Sequence, residues 1–244
     1  MFFFLFTFFF AQSAWAFKLS LLESTIDLAE GRYSSTATII NNGESTIAIE
    51  AMTRLRSHSR DGTENFEQEA ENLLIIPTQM IIPPGSEQVL NIRYVGPRDL
   101  SSEIAYRLVI EYVSISEDKL KGLAPESKKA GVNIVYRIAK SFYVVPKNSN
   151  PNVTLDTIKK TTVNNKDMLH MSFKNIGNKH QVFSTVDVQF TTKTAEKIDV
   201  SFNQKFLQDP INLLAADERD IIIPLPEPLQ NHEIVSAKII GLVE

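Results

Sequence analysis

Along most of this chain apolar and polar residues alternate with a period of two, the repeat of a strand that buries one face. Ser34 to Ile40 alternates and is rich in β-branched residues, and Thr46 to Met52 repeats the pattern. Between them lies Asn41-Asn42-Gly43-Glu44, whose Asn-Gly pair predicts a tight hairpin with a positive φ. Leu73 to Ile76 stops at Pro77, and Met80 to Ile82 leads into the turn Pro83-Pro84-Gly85. Val89 to Val95 places Leu90, Ile92 and Tyr94 on one face. Ile104 to Val113 does the same with Ile104, Tyr106, Leu108, Ile110 and Tyr112. Asp61-Gly62 marks a turn, the polar, Lys-rich stretch Ser116 to Gly131 reads as a mobile loop, and Val132 to Val145 is the last strand before Pro146. About seven strands in roughly 130 residues is the count of an immunoglobulin-like sandwich.

Lys147-Asn148-Ser149-Asn150-Pro151 is polar, ends in proline and reads as a linker. Strand-like runs resume at Val153 to Ile158, Met168 to Lys174, Gln181 to Thr191 and Ile198 to Phe206. Ile221 to Ile223 and Ile234 to Ile240 complete the set. Leu213 to Glu218 has room for one short helical turn, and no stretch sustains a 3.6-residue period. The expectation is an all-β protein of two sandwich domains, residues 17–146 and 147–244.

Met1 to Ala16 stands apart. It has no charge, holds seven of the fifteen Phe and the single Trp, and ends Ala14-Trp15-Ala16, small residues where signal peptidase cuts. Its apolar run is about half of the ~20 residues a membrane span needs. A secretory leader removed after Ala16 is expected, although its start lacks the usual Lys or Arg. The remainder would be exported, with no stable membrane insertion.

Composition narrows the function classes. A net charge of −4 gives no electrostatic reason for a nucleic-acid partner. With no Cys there is no disulfide, no thiolate metal site and no Cys nucleophile. Phosphate-binding glycine loops, the G-x-S-x-G elbow and the H-E-x-x-H zinc motif are absent from the sequence. His58, His170, His180 and His232 lie far apart and are expected at the surface or in turns, although His170 and His180 flank a hairpin and could approach each other. The reading is a non-enzyme without cofactor or metal.

One pattern points to binding. Val132, Ile134, Tyr136 and Ile138 form an apolar stripe on the strand that closes the first sandwich. Either it is a plain core-facing strand, or it is an edge that offers side chains and backbone to a partner. Asn133, Arg137 and Lys140 alternate with it, so the edge is only partly blunted by charge.

The order of several short motifs resembles the PapD-like periplasmic chaperones of the chaperone–usher pilus pathway, in a divergent branch. Phe17-Lys18-Leu19 followed by Thr25-Ile26 and Gly31 is similar to the family's first strand. Ile40-Asn41-Asn42, then Ile47-Ala48-Ile49-Glu50, resembles its next two strands. Arg56 with Asp61-Gly62-Thr63-Glu64 is similar to the R…D-x-x-G-x-E of the divergent branch. Ile76-Pro77, Ile82-Pro83-Pro84-Gly85 and Gln88 to Arg93 resemble the family's proline-glycine signature. Ala105-Tyr106-Arg107-Leu108 and Ser141-Phe142-Tyr143-Val144-Val145-Pro146 resemble its last two strands. In the second half, Phe173 to His180 and Leu214-Ala215-Ala216 are similar to "v-x-N-x-G-n-x-h" and "vlaG".

The resemblance implies two immunoglobulin-like domains set in an L. It implies a chaperone that lends an edge strand to pilus or fimbrial subunits and delivers them to an outer-membrane usher. On that alignment Val132, Ile134, Tyr136 and Ile138 are the lent stripe. Family members grip the subunit's C-terminal carboxylate with an Arg on the first strand and a Lys on the closing strand. Here the Arg position falls near Thr25 or Ile26, and the Lys position is either Lys140 or Ser141. Lys140 or Lys18 would substitute, or Thr25 and Ser141 would supply hydrogen bonds. The family's interdomain Arg is replaced by Val144 or Val145. The alternative is a structural or adhesion protein of the cell envelope built on the same sandwiches. Whether free copies pair as a homodimer is left open.

Overall fold

The computed structural model describes residues 18–21, 24–113, 136–207 and 209–244. The expected leader, Phe17, the Ser116 to Gly131 loop, Val132 and Ile134 lie outside the described residues.

The alternating runs become strands that bury their apolar face in two facing sheets. One sheet orders β1 (Lys18–Leu21), β3 (Ser34–Ile40), β9 (Glu87–Tyr94) and β7 (Leu73–Ile76). The other orders β2 (Thr25–Asp27), β11 (Arg137–Val145), β10 (Ile104–Val113), β4 (Ile47–Leu55) and β8 (Gln79–Ile82). A short ribbon of β5 (Ser57–His58) and β6 (Glu64–Asn65) follows β4. Period-two spacing puts Leu90, Ile92 and Tyr94 inside with Ile39, Leu108, Ile110, Phe142 and Val144. Mid-sheet β10 is buried on both faces: Val109 and Ala105 are inside too, so the expected one-sided strand is two-sided.

A second core lies wholly within residues 169–229. It is aromatic: Phe173, Phe183, Phe190 and Phe202 have no exposed surface. Burying each ring stabilises by about 1.5–3 kcal/mol. Its sheets are β12 (Val153–Val163), β13 (Lys166–Asn175) and β18 (Glu218–Pro224), facing β16 (Lys197–Phe202), β15 (Thr185–Thr192) and β19 (Ile234–Val243). β14 (Gln181–Phe183) pairs with β17 (Ile211–Leu213).

Several local expectations are corrected. β3 and β4 do not form a hairpin, because they belong to opposite sheets. Gly43 has no positive φ; the chain instead turns a corner around Asn41, which is fully buried. Asn41 Nδ2 donates to the carbonyls of Ser45 (2.8 Å) and Ile82 (2.9 Å), and Oδ1 accepts from Gly43 N (2.9 Å). The corner's inward-facing backbone groups are thereby satisfied without water. Asn175 repeats the device in the second sandwich, with Nδ2 on Lys179 O (2.8 Å) and Leu214 O (3.0 Å) and Oδ1 on Gly177 N (3.0 Å). The run Gln181 to Thr191 is split at Ser184 between two sheets. Phe206 leaves the strand for a single helical turn, Gln204–Leu207. No helix forms between Leu213 and Glu218, where the chain makes a turn with Ala216 at φ 57°.

That turn yields a prediction. A Cβ in the left-handed region costs about 1–2 kcal/mol, partly offset because glycine loosens the unfolded chain by about 0.5–1 kcal/mol. Ala216→Gly is expected to raise unfolding free energy by about 0.5–1 kcal/mol, as measured by urea denaturation. A loss of stability would show that the alanine methyl makes a packing contact worth more than the strain.

Candidate functional site

The site begins with the pairing of β11. Its antiparallel ladder to β10 runs from Ile104↔Val144 to Glu111↔Arg137. Tyr112 N donates to Tyr136 O (2.9 Å) just beyond. Even-numbered residues of β11 therefore spend their backbone groups on β10, and odd-numbered residues direct theirs the other way. On that other side Tyr143 N donates to Ser24 O (2.9 Å), and β2 runs parallel beside Tyr143, Val144 and Val145. Among the described residues no strand continues β2 upward. The backbone groups of Arg137, Ala139 and Ser141 thus line an open edge roughly 14 Å long.

Side chains divide by the same parity. Phe142 and Val144 are in the core, and Ile138 packs against it from a half-buried position. Tyr136 is 52% exposed and meets Tyr112 edge-on at 6.4 Å. Lys140 shares this even face and is exposed. Ser141 lies on the opposite face with Arg137, Tyr143 and Val145, and Thr25 is on that face as the partner of Tyr143. The structure therefore brings Ser141 and Thr25 to one side and Lys140 to the other. Val132 and Ile134 are outside the described residues.

Ser141 does not stand alone. Its Oγ accepts from Arg107 Nη1 (2.8 Å) on β10 and from Arg56 Nη1 (3.4 Å) between β4 and β5. Both guanidiniums converge on Glu64: Arg107 binds it through Nε and Nη2, and Arg56 Nε lies 3.1 Å from Oε1. Burial opposes the Glu64 charge, but these two arginines outweigh it and hold the carboxyl below its ordinary value. This explains the Arg56…Glu64 spacing in the sequence: the β5–β6 ribbon folds Glu64 back onto Arg56. Arg107 is a charge at the site that residue counting overlooked. Its signal was its place among apolar residues near the start of β10, in register with Ser141.

Behind this cluster the two sandwiches meet, and three of the four histidines lie there, whereas His232 pairs with Glu196 within the second sandwich. His58 is 3% exposed. Its Nε2 lies 3.3 Å from Arg56 Nη2, and its Nδ1 faces Asp217 at 3.4 Å. His180 Nδ1 contacts Glu103 Oε2 at 2.7 Å, and its ring stacks on Tyr143 at 3.9 Å. His170 pairs with Asp220 instead of approaching His180. Asp220 also receives Arg60 Nη2 at 3.1 Å. At Gly62, whose φ is 92°, a Cβ would lie 1.4 Å from Arg219 Nη1, so that guanidinium packs directly on the turn. Burial lowers the Arg219 pKa, with Asp217 and Asp61 opposing. Ala105, Tyr143, Val145 and Leu214 form an apolar seam beside these charges. Val144 and Val145 are buried here.

No protein-family model and no curated protein matches the chain. Solved structures do. A chain of the CsuC–CsuE chaperone–tip adhesion subunit pre-assembly complex, from archaic chaperone-usher Csu pili of Acinetobacter baumannii, matches with TM-score 0.55 and 12% identity, over 90% of this chain and 96% of that one. The class 5 fimbriae chaperone CfaA matches with TM-score 0.50 and 16% identity, over 93% and 99%. A chain of the Salmonella enterica complex of SafA pilin with the SafB chaperone matches with TM-score 0.50 and 12% identity, over 88% and 86%. At such identities the likeness is one of fold, and it spans nearly the whole of both partners.

The Glu64 cluster predicts an acid dependence. Its folded pKa lies below that of an ordinary glutamate. Its contribution is therefore present above that value and is lost as pH falls through the depressed folded pKa. Glu64→Gln is expected to cost about 1.5–3 kcal/mol at pH 7 and to flatten the loss of stability on acidification, read by urea unfolding across the acid range. An unchanged acid slope would place the titrating group elsewhere.

Proposed function

We propose that this protein is a periplasmic chaperone that stabilises pilus or fimbrial subunits by lending them the edge of β11, and delivers them to an outer-membrane usher. The observation that carries the reading is that edge. Among the described residues, three of β2 cover only its lower end, and the rest offers free backbone groups at every second residue. Such an edge adds a strand to a partner's sheet. The fold's likeness to chaperones crystallised with pilus subunits supports the same role. Residues 1–16 would serve as the export leader, 17–146 as the capturing domain and 147–244 as the second domain.

In this reading Tyr136 and Ile138, continued by Ile134 and Val132, enter the partner's apolar groove. Each buried side chain stabilises by about 1.5–3 kcal/mol. Each net backbone hydrogen bond adds about 0.5–1.5 kcal/mol. Three or four of each offset association costs of about 4–15 kcal/mol. No nucleotide is needed. The partner's terminal carboxylate would meet Ser141, with charge supplied by Arg107 and Arg56 from neighbouring strands and Thr25 alongside. Lys140, on the other face, would lie against the groove.

The test is co-expression with pilus-type subunits encoded in the same genome, then periplasmic co-purification and mass spectrometry. A one-to-one complex is expected with the wild type. Recovery of free protein or homo-oligomers alone, with the subunits equally stable without it, would favour the structural or adhesion reading. Tyr136→Asp with Ile138→Asp is expected to abolish capture and leave the circular dichroism spectrum unchanged. Arg107→Gln should weaken capture more than Lys140→Ala; the reverse order would return the clamp to Lys140.

A further inference from the structure

Strand lending gives the first sandwich a task and leaves the second without one. The page of contacts at Tyr143 supplies it. Tyr143 stands where the open edge of β11 ends, its N–H bound to Ser24 O at 2.9 Å. From that point its side chain reaches into the second sandwich. The hydroxyl accepts from Asn212 Nδ2 on β17 at 2.7 Å and from Arg56 Nη1 at 2.9 Å. Its ring stacks on His180, with planes 10° apart. His180 is fixed in turn by Glu103, whose side chain is 1% exposed and takes the ring Nδ1 on one oxygen and the His180 N–H (3.3 Å) on the other. Leu214 closes the apolar side.

We infer that Tyr143 is a positioning residue through which the second sandwich sets the closed end of the lent strand. The inference rests on the strand-lending reading and deepens it. One side chain of β11 is held by His180, Asn212 and Leu214, all from the second sandwich. Through Arg56 the same hydroxyl reaches Ser141 Oγ, two residues up the open edge. A shift of the second sandwich therefore displaces Arg56 and Ser141 together. The second domain acts on capture without touching the captured subunit's groove.

The experiment compares wild type, Tyr143→Phe and Asn212→Ala. The phenylalanine keeps the ring stack and the burial and removes both hydroxyl contacts. The asparagine change removes one. Residual dipolar couplings on 15N-labelled full-length protein report the alignment tensors of the two sandwiches. Capture is read by titrating the subunit that co-purifies with the wild type. Tyr143→Phe is expected to stay folded, to make the two tensors diverge, and to weaken capture roughly tenfold, the effect of losing a hydrogen bond to a charged group. Asn212→Ala should move both readouts the same way by less. Coincident tensors and capture within about twofold of wild type for Tyr143→Phe would overturn the inference. If the wild type itself captures nothing, the chaperone reading falls, and the tensors alone still decide whether Tyr143 positions the sandwiches.

Discussion

The phase of the β10–β11 ladder governs nearly everything that follows from this fold. Because the even residues of β11 bond to β10, the odd ones are left to face outward, and β2 takes up only the last of them. The same parity sends Ile138, Phe142 and Val144 toward the core and Ser141, Tyr143 and Val145 toward the second sandwich. A slip of one residue would exchange the two sets, exposing Phe142 and burying Ser141. Burial of Phe142 and Val144, both without exposed surface, thus fixes which backbone groups remain open several residues away.

Much of this was legible in the amino-acid pattern. Leu90, Ile92 and Tyr94 alternate and are buried as alternation requires, and Pro77 and Pro83 end strands where they stand. Misread were places where a side chain replaces local backbone preference. Asn41-Asn42-Gly43 carries the residues of a hairpin, yet the buried Asn41 amide organises a corner between sheets. Ser184 interrupts a continuous β pattern without any Gly or Pro to announce it. At the site, the alternation showed the stripe, and the phase of Ser141 could be reasoned out. Arg107 could not be assigned, because its meaning depends on Glu64, forty-three residues away.

Most charge at the joint is paired, and Arg219 is the exception, with an unpartnered Nε and burial that outweighs its nearby carboxylates. Glu64 is shared by two arginines, Asp220 by Arg60 and His170, and Glu103 is closed by His180. The apolar seam of Ala105, Tyr143, Val145 and Leu214 shields these pairs from water on one side. The valines at the closing proline belong to this solution. With Val145 in the seam, polar contact between the sandwiches falls to Arg60 with Asp220, His58 with Asp217 and His180 with Glu103.

The unequal make-up of the two cores has an optical consequence. All six tyrosines fall between Tyr33 and Tyr143, whereas the second core is built on phenylalanine. Beyond residues 1–16, which hold the single Trp, ultraviolet absorbance and emission near the tyrosine bands belong to the first sandwich alone. Tyr136 and Tyr112 sit at the open edge and Tyr143 at the joint. The protein thus carries native chromophores at the open edge and at the joint, and none inside the second sandwich to obscure them.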